Sequence, residues 1–165
     1  MALLRLRPAV SSELADVRSI LNEATLWLRA HGIQQWLVPY PEQQIAAEIA
    51  RGEVSVGVVD DAFVGTLTLL DADALWANQP DCRARYLHRF AVRRSYRGIG
   101  ARMIDEACTQ LAAQGIQRLR LDCEATNTAL RSYYERLGFE HRGDVGHQFS
   151  SAAFYHASLY ERLIG

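Results

Sequence analysis

Between Val92 and Ile104 an apolar strand pattern runs into arginines, turns through Gly98 and Gly100, and continues as a helix: Val92-Arg93-Arg94-Ser95-Tyr96-Arg97-Gly98-Ile99-Gly100-Ala101-Arg102-Met103-Ile104. Glycine allows the backbone to turn through conformations closed to other residues and to approach a ligand closely. The first N–H groups of the helix that follows have no intrahelical partner and carry the positive end of the dipole. Such a turn is a candidate anion cradle, and Arg93, Arg94 and Arg97 add charge to it. The plain alternative is a connector between a strand and a helix. A phosphate-bearing ligand is the first functional expectation.

Two common phosphate loops do not fit. The Walker pattern needs Lys and then Ser or Thr after its second glycine, and Ala101-Arg102 stands there. The dinucleotide fingerprint needs a third small residue where Met103 stands, for close packing of helix on strand. A strand, a G-x-G turn and a helix remain, and the rest of the chain has to specify the ligand.

With 165 residues, 49% of them hydrophobic and 22% charged, the chain is long and apolar enough for one domain with a sizeable core. A net charge of −1 argues against nucleic acid as the main partner. The arginines between 83 and 102 still make a local basic patch suited to a small polyanion. All 18 basic residues are arginine, so no lysine is available for acylation. Cys82, Cys108 and Cys123 are odd in number and lack C-x-x-C spacing, which argues against a disulfide framework and a zinc site. No signal peptide or membrane-spanning run is expected, and the cytoplasm fits best.

Taken in order, Leu4 to Arg7 alternates as a strand closed by Pro8, and Ser11 or Ser12 is expected to cap a helix with Leu14, Val17, Leu21, Ala24 and Leu28 on its buried face. After an aromatic connection from Ile33 to Tyr40, Pro41 opens a second helix ending at Arg51-Gly52. Val54–Val59 and Phe63–Leu70 read as a hairpin turning at Asp60-Asp61. A polar loop from Asp71 to Arg83 leads into a strand over Ala84–Val92, the glycine turn, and a helix from Gly100 to Gln114. A strand over Arg118–Cys123, a helix over Asn127–Leu137 and strands at Phe139–Val145 and Phe154–Arg162 complete a mixed α/β domain spanning residues 1–165.

The second half resembles the GNAT superfamily of acyl-CoA-dependent N-acyltransferases. Leu87 to Val92 is similar to the family's fourth strand, and Ser95-Tyr96-Arg97-Gly98-Ile99-Gly100 to its pyrophosphate loop, usually Q/R-x-x-G-x-G/A. Asn127-Thr128-Ala129-Leu130-Arg131-Ser132-Tyr133-Tyr134-Glu135-Arg136-Leu137-Gly138-Phe139 resembles the second hallmark, N-x-x-A followed by Y-E-x-x-G-F. Ser95 departs from the usual Gln or Arg. The resemblance implies a mixed sheet of six to seven strands splayed between strands 4 and 5 and flanked by four helices. It implies acetyl-CoA as cosubstrate, without a metal. Pantetheine would pair with main chain at Phe90, Ala91 and Val92, and the pyrophosphate would sit on the loop and helix start formed by Arg94, Ser95, Arg97, Gly98, Ile99, Gly100, Ala101 and Arg102, with Asn127 a further cofactor-binding candidate.

The implied reaction is direct attack by a primary amine on the thioester carbonyl. Tyr134 matches the family's acid position, where it would protonate the departing thiolate. Three or four and seven residues separate Asn127, Leu130 or Arg131, and Tyr134, which places them on one helix face. By the strand's period of two, Tyr86, His88 and Phe90 should share one face. His88, as an imidazole, and Glu124 are candidate bases. Asp71, Asp73, Asp81, Glu42 and Glu48 are candidate attractors of a cationic amine, and Trp36 or Trp76 of the acceptor wall. The expectation is acetylation of a small-molecule amine, with protein N-terminal acetylation and a non-catalytic acyl-CoA-binding regulatory module as alternatives. Nucleic acid and membrane are not expected as partners. Homodimers are common among relatives, but no feature here specifies an interface.

Overall fold

In the computed structural model, which describes residues 2–36, 39–151 and 153–165, the N-terminal alternation forms strand β1, Leu4–Pro8. A 3-10 turn at Ser11–Glu13 leads into helix α1, Leu14–Ala30. The helix start is set by Glu13 rather than by a serine cap: its carboxylate accepts from Val10 N at 2.9 Å and pairs twice with the Arg7 guanidinium. Val17, Ile20, Leu21 and Thr25 are the buried positions, and Leu14 and Ala24 pack half-buried on the same core, so the expected stripe is kept and widened by Ile20 and Thr25. Thr25 is admitted because its hydroxyl donates to Leu21 O at 2.7 Å. Leu37 and Val38 of the aromatic connection lie outside the described residues.

Helix α2 runs over Glu42–Ala50, followed by β2 (Val54–Val59) and β3 (Ala62–Leu70). Their hairpin closes through Asp60 and Asp61 at φ 47° and 65°, with Val59 opposite Ala62. Two consecutive left-handed residues match the right-handed twist of the flanking strands. After a short 3-10 turn at Ala74–Trp76 come β4 (Ala84–Val92), α3 (Ile99–Ala113), β5 (Arg118–Glu124), α4 (Thr128–Arg136), β6 (Glu140–Ser150) and β7 (Ala153–Leu163). Among the described residues there are thus seven strands and four α-helices, in a mixed sheet ordered β1-β2-β3-β4-β5-β7-β6. β4 and β5 are parallel neighbours, registered from Ala84 opposite Arg118 to Tyr86 opposite Arg120; β1–β2, β2–β3, β5–β7 and β6–β7 are antiparallel. None of the described helices is long and apolar enough to cross a membrane.

The chain divides into two compact units, residues 1–69 with 88–107, and residues 70–87 with 108–165. In the first unit Val17, Ile20 and Leu21 of α1 and Ile45 and Ile49 of α2 pack with Val54, Val56 and Val58 of β2. Met103 of α3 is fully buried against Gly57 and Gly65, which face each other on β2 and β3. In the second unit Trp76, Ala84, Tyr86 and Leu159 form an apolar cluster. Beside it Arg120 donates to Glu161 at 2.8 Å and stacks over Trp76 at 4.4 Å. Trp76 is 1% exposed, which makes it a core residue and removes it from any acceptor wall.

Candidate active site

In the first unit the glycine turn is pinned at its start and open beyond it. Arg93 N donates to Val64 O at 2.8 Å, and the Arg93 guanidinium donates to Phe63 O and Ser19 Oγ at 3.0 and 3.2 Å. Arg93 therefore ties β3, β4 and α1 together and is not a spare phosphate ligand. Arg94 is exposed and stacks over the Trp27 indole at 3.9 Å, while Arg102 donates to Ala2 O at 3.1 Å. Ser95, Arg97 and Gly98 are exposed, and Arg97 makes no ion pair or side-chain hydrogen bond among the described residues. Gly98 has φ 79° and nothing within 4 Å of where a Cβ would stand. The left-handed turn demands glycine, and the space above it admits a ligand. Ile99 and Gly100 are buried where α3 begins, and Ala101 is half-buried. The open turn, the helix dipole and Arg97 together suit a diphosphate.

Just before this turn β4 is irregular. Arg89 adopts φ 44° within the strand, a costly conformation for a non-glycine residue. Its guanidinium pairs with Glu48 of α2 at 2.6 Å, the two side chains being 14% and 6% exposed. The left-handed residue interrupts the period of two, so the expected face shared by Tyr86, His88 and Phe90 is not kept: Tyr86 and Leu87 are both buried, and His88, Arg89 and Phe90 are all half-buried. Ala91 is buried and Val92 half-buried.

In the second unit Asn127 caps α4, its Oδ1 accepting from Leu130 N at 3.1 Å. The helix begins at Thr128, one residue later than expected, because Asn127 acts as the cap in place of Thr126. Tyr134, seven residues on, is 8% exposed and packs edge-on against Tyr133 and Phe139. Its hydroxyl makes no hydrogen bond among the described residues. Burial, followed by the charges of its neighbours, pushes the phenol well above its ordinary range. It therefore holds its proton at neutral pH. Glu124 is exposed at the end of β5.

Most of the acidic residues expected to attract an amine have structural partners. Asp71 pairs with Arg85 at 3.0 Å, Asp81 with Arg118 at 3.1 Å, and Glu42 with Arg18 at 3.0 Å. Glu48 holds Arg89. Asp73 Oδ1 accepts from Leu75 N at 2.8 Å. Sequence reasoning passed over Asp122 of β5 and Tyr155 of β7, whose hydroxyl donates to Asp122 Oδ2 at 2.8 Å. Asp122 stands at a charged position of the alternating strand Arg118–Glu124 and reads there as an ordinary solvated residue, so neither it nor Tyr155 carried a signal.

Residues 15–139 match the family model described as Acetyltransferase (GNAT) family. The chain is 33% identical over 167 residues to the uncharacterized N-acetyltransferase YesJ of Bacillus subtilis (strain 168), covering 95% of this chain and 88% of that protein. The crystal structure of a GNAT-family acetyltransferase from Listeria monocytogenes 4b F2365 superposes with TM-score 0.76 at 25% identity, covering 98% of this chain and 95% of that one. PaiA N-acetyltransferase from Thermoplasma acidophilum, solved in complex with coenzyme A, shares the fold with TM-score 0.73 at 18% identity over 98% of this chain and 99% of that one. The chain belongs to the GNAT acetyltransferase family and is an acyltransferase that uses acetyl-CoA.

Proposed function

We propose that residues 1–165 act as a single catalytic domain that transfers the acetyl group of acetyl-CoA to a primary amine of a small molecule, by direct attack of the amine on the thioester. Arg97, Gly98 and the first N–H groups of α3 bind the pyrophosphate, with Ser95 and Arg94 at the rim and the main chain of Phe90 to Val92 pairing with pantetheine. The Asn127 side chain caps α4 and leaves its amide NH2 to donate to the donor arm. Tyr134 protonates the thiolate as the C–S bond breaks. The observation that carries this reading is Tyr134 itself: a buried phenol held in its protonated form, on the helix that carries the family's second motif. His88 and Glu124 are candidate bases in this scheme.

The test is a thiol-release assay with acetyl-CoA and a panel of small amines, beside calorimetric titration with coenzyme A. Saturable acetylation of a small amine is expected. Coenzyme A binding with no transfer to any amine would replace the enzyme with an acyl-CoA-binding module. Transfer to peptide N-termini alone would move the acceptor class to proteins.

A further inference from the structure

Helix α4 carries Asn127 at its cap and Tyr134 near its end, yet Tyr134 is the one residue of Thr128–Arg136 that is buried. A helix of 9 residues is marginal by itself, and a single buried anchor leaves it free to turn about its axis. Polar contacts must therefore fix how it stands.

Tyr160 of β7 is fully buried, opposite Leu121 of β5 and His141 of β6. Its hydroxyl accepts from Arg131 Nε at 3.0 Å and donates to Glu135 Oε1 at 2.8 Å. Burial raises the Tyr160 phenol above its ordinary range, with Arg131 opposing and Glu135 adding to it, so the hydroxyl keeps the proton it donates. Arg131 and Glu135 stand four residues apart on one face of α4. They form no ion pair with each other among the described residues, and the phenol joins them. Arg131 also donates through Nη1 to Ala125 O at 3.3 Å, and Ala125 N donates to His156 O at 2.9 Å, so the turn leading to Asn127 is tied to β7 as well. All of these residues belong to the second unit.

By the helical period Tyr134 stands about 60° round the axis from Arg131. A tyrosine hydroxyl on a helix lies roughly 9 Å from the axis, so a rotation of about 10° moves it by about 1.5 Å. A misplacement of about 1 Å can cost about 100-fold in rate. We infer that Tyr160 is a positioning residue for acyl transfer: by gripping Arg131 and Glu135 its hydroxyl fixes the rotation of α4, and so the point at which Tyr134 delivers its proton. The inference rests on Tyr134 as the acid of the acetyltransferase reading and deepens that reading.

The experiment is a double-mutant cycle on turnover of the best amine from the panel, with calorimetric titration of coenzyme A as the control for folding. Tyr160→Phe keeps the ring and deletes the hydroxyl. It should lower kcat about tenfold while leaving coenzyme A affinity and the amine KM within about threefold. Combined with Tyr134→Phe it should add less than about twofold, because the proton it places is already gone. Glu135→Ala cuts the same chain of hydrogen bonds at an exposed residue, without opening the core. It should show the same dependence on Tyr134 at about fivefold, and Glu135→Gln, which keeps an acceptor oxygen, should recover most of that loss. A role in stability alone would lower kcat by the same factor in both backgrounds or not at all; either result would overturn the inference and leave Tyr134 as the acid. Unchanged turnover in Tyr134→Phe alone would remove the acid, and the inference with it. A wild-type protein that binds coenzyme A and acetylates no amine would sink the enzyme reading first.

Discussion

The sulfur of Met103 occupies the space where a side chain on Gly65 would begin: a Cβ there would lie 2.6 Å from Met103 Sδ and 3.0 Å from Ala91 O. Gly57, opposite Gly65 on the neighbouring strand, is closed off by the same sulfur at 2.9 Å. The bulky residue that rules out a dinucleotide loop is thus accommodated by two glycines on the strands beneath it, and α3 packs closely by that route. Gly65→Ala should destabilise the protein by about 1–3 kcal/mol through overpacking. In urea unfolding, the cost of Met103→Ala should be smaller in the Gly65→Ala background than in the wild type, because the added methyl meets the space that methionine vacates. Additive costs would show that the two residues do not compete for it.

Glu48→Gln leaves the Arg89 guanidinium buried without its countercharge, at a residue already in a strained conformation. The expected loss is about 3–5 kcal/mol, typical of breaking a buried pair from one side. Denaturant unfolding of Glu48→Gln beside the exposed pair variant Glu42→Gln checks it; the latter should cost less than about 1 kcal/mol.

Arg93 and Arg97 should separate cleanly. Arg93→Ala removes hydrogen bonds to Phe63 O and Ser19 Oγ and should lower the melting temperature. Arg97→Ala should leave that temperature unchanged and weaken acetyl-CoA binding about tenfold, the value of one charge-assisted contact to phosphate. Titration calorimetry at low and high salt reads the second effect, which should shrink as salt rises.

Tyr134→Phe keeps the aromatic packing on Tyr133 and Phe139 while deleting the acidic proton. Turnover should fall about 100-fold or more, with acetyl-CoA affinity nearly unchanged. Unchanged turnover would remove Tyr134 from the chemistry.

Burial, with help from Asp122, pushes the Cys123 thiol up from its ordinary value near 9 to about 11. In the unfolded chain a thiol ionises from about pH 8.5, so above that pH the unfolded state loses its proton first. The thiol's contribution to stability is complete below that pH and is lost as pH rises toward 11, by at most about 1.4 kcal/mol per pH unit. Unfolding measured near pH 8 and pH 10 should show the decline, with a smaller one in Cys123→Ala. At pH 8 an aromatic disulfide reagent should titrate Cys82 in the folded protein, and Cys108 and Cys123 after unfolding, since only Cys82 is exposed.

Local patterns in the chain were enough for the order of strands and helices, the Asp60-Asp61 hairpin, the glycine turn and, to within one residue, the helix capped by Asn127. Each rests on interactions between residues near in sequence, where alternation, caps and left-handed turns leave a direct mark. Family membership was legible for the same reason, its two motifs being short and local. Long-range contacts decided the rest. Arg93 reads as one more charge in a basic run, yet it is spent on β3 and α1; Trp76 reads as a polar-loop aromatic, yet it is core. Arg89 breaks the alternation of β4 and pairs with Glu48, 41 residues earlier, a contact no local pattern marks. Asp122 meets Tyr155 only because β7 returns beside β5. A sequence carries the chemical character of each side chain, but which charges are neutralised and which are left facing a substrate is set by partners that only the folded chain brings within reach.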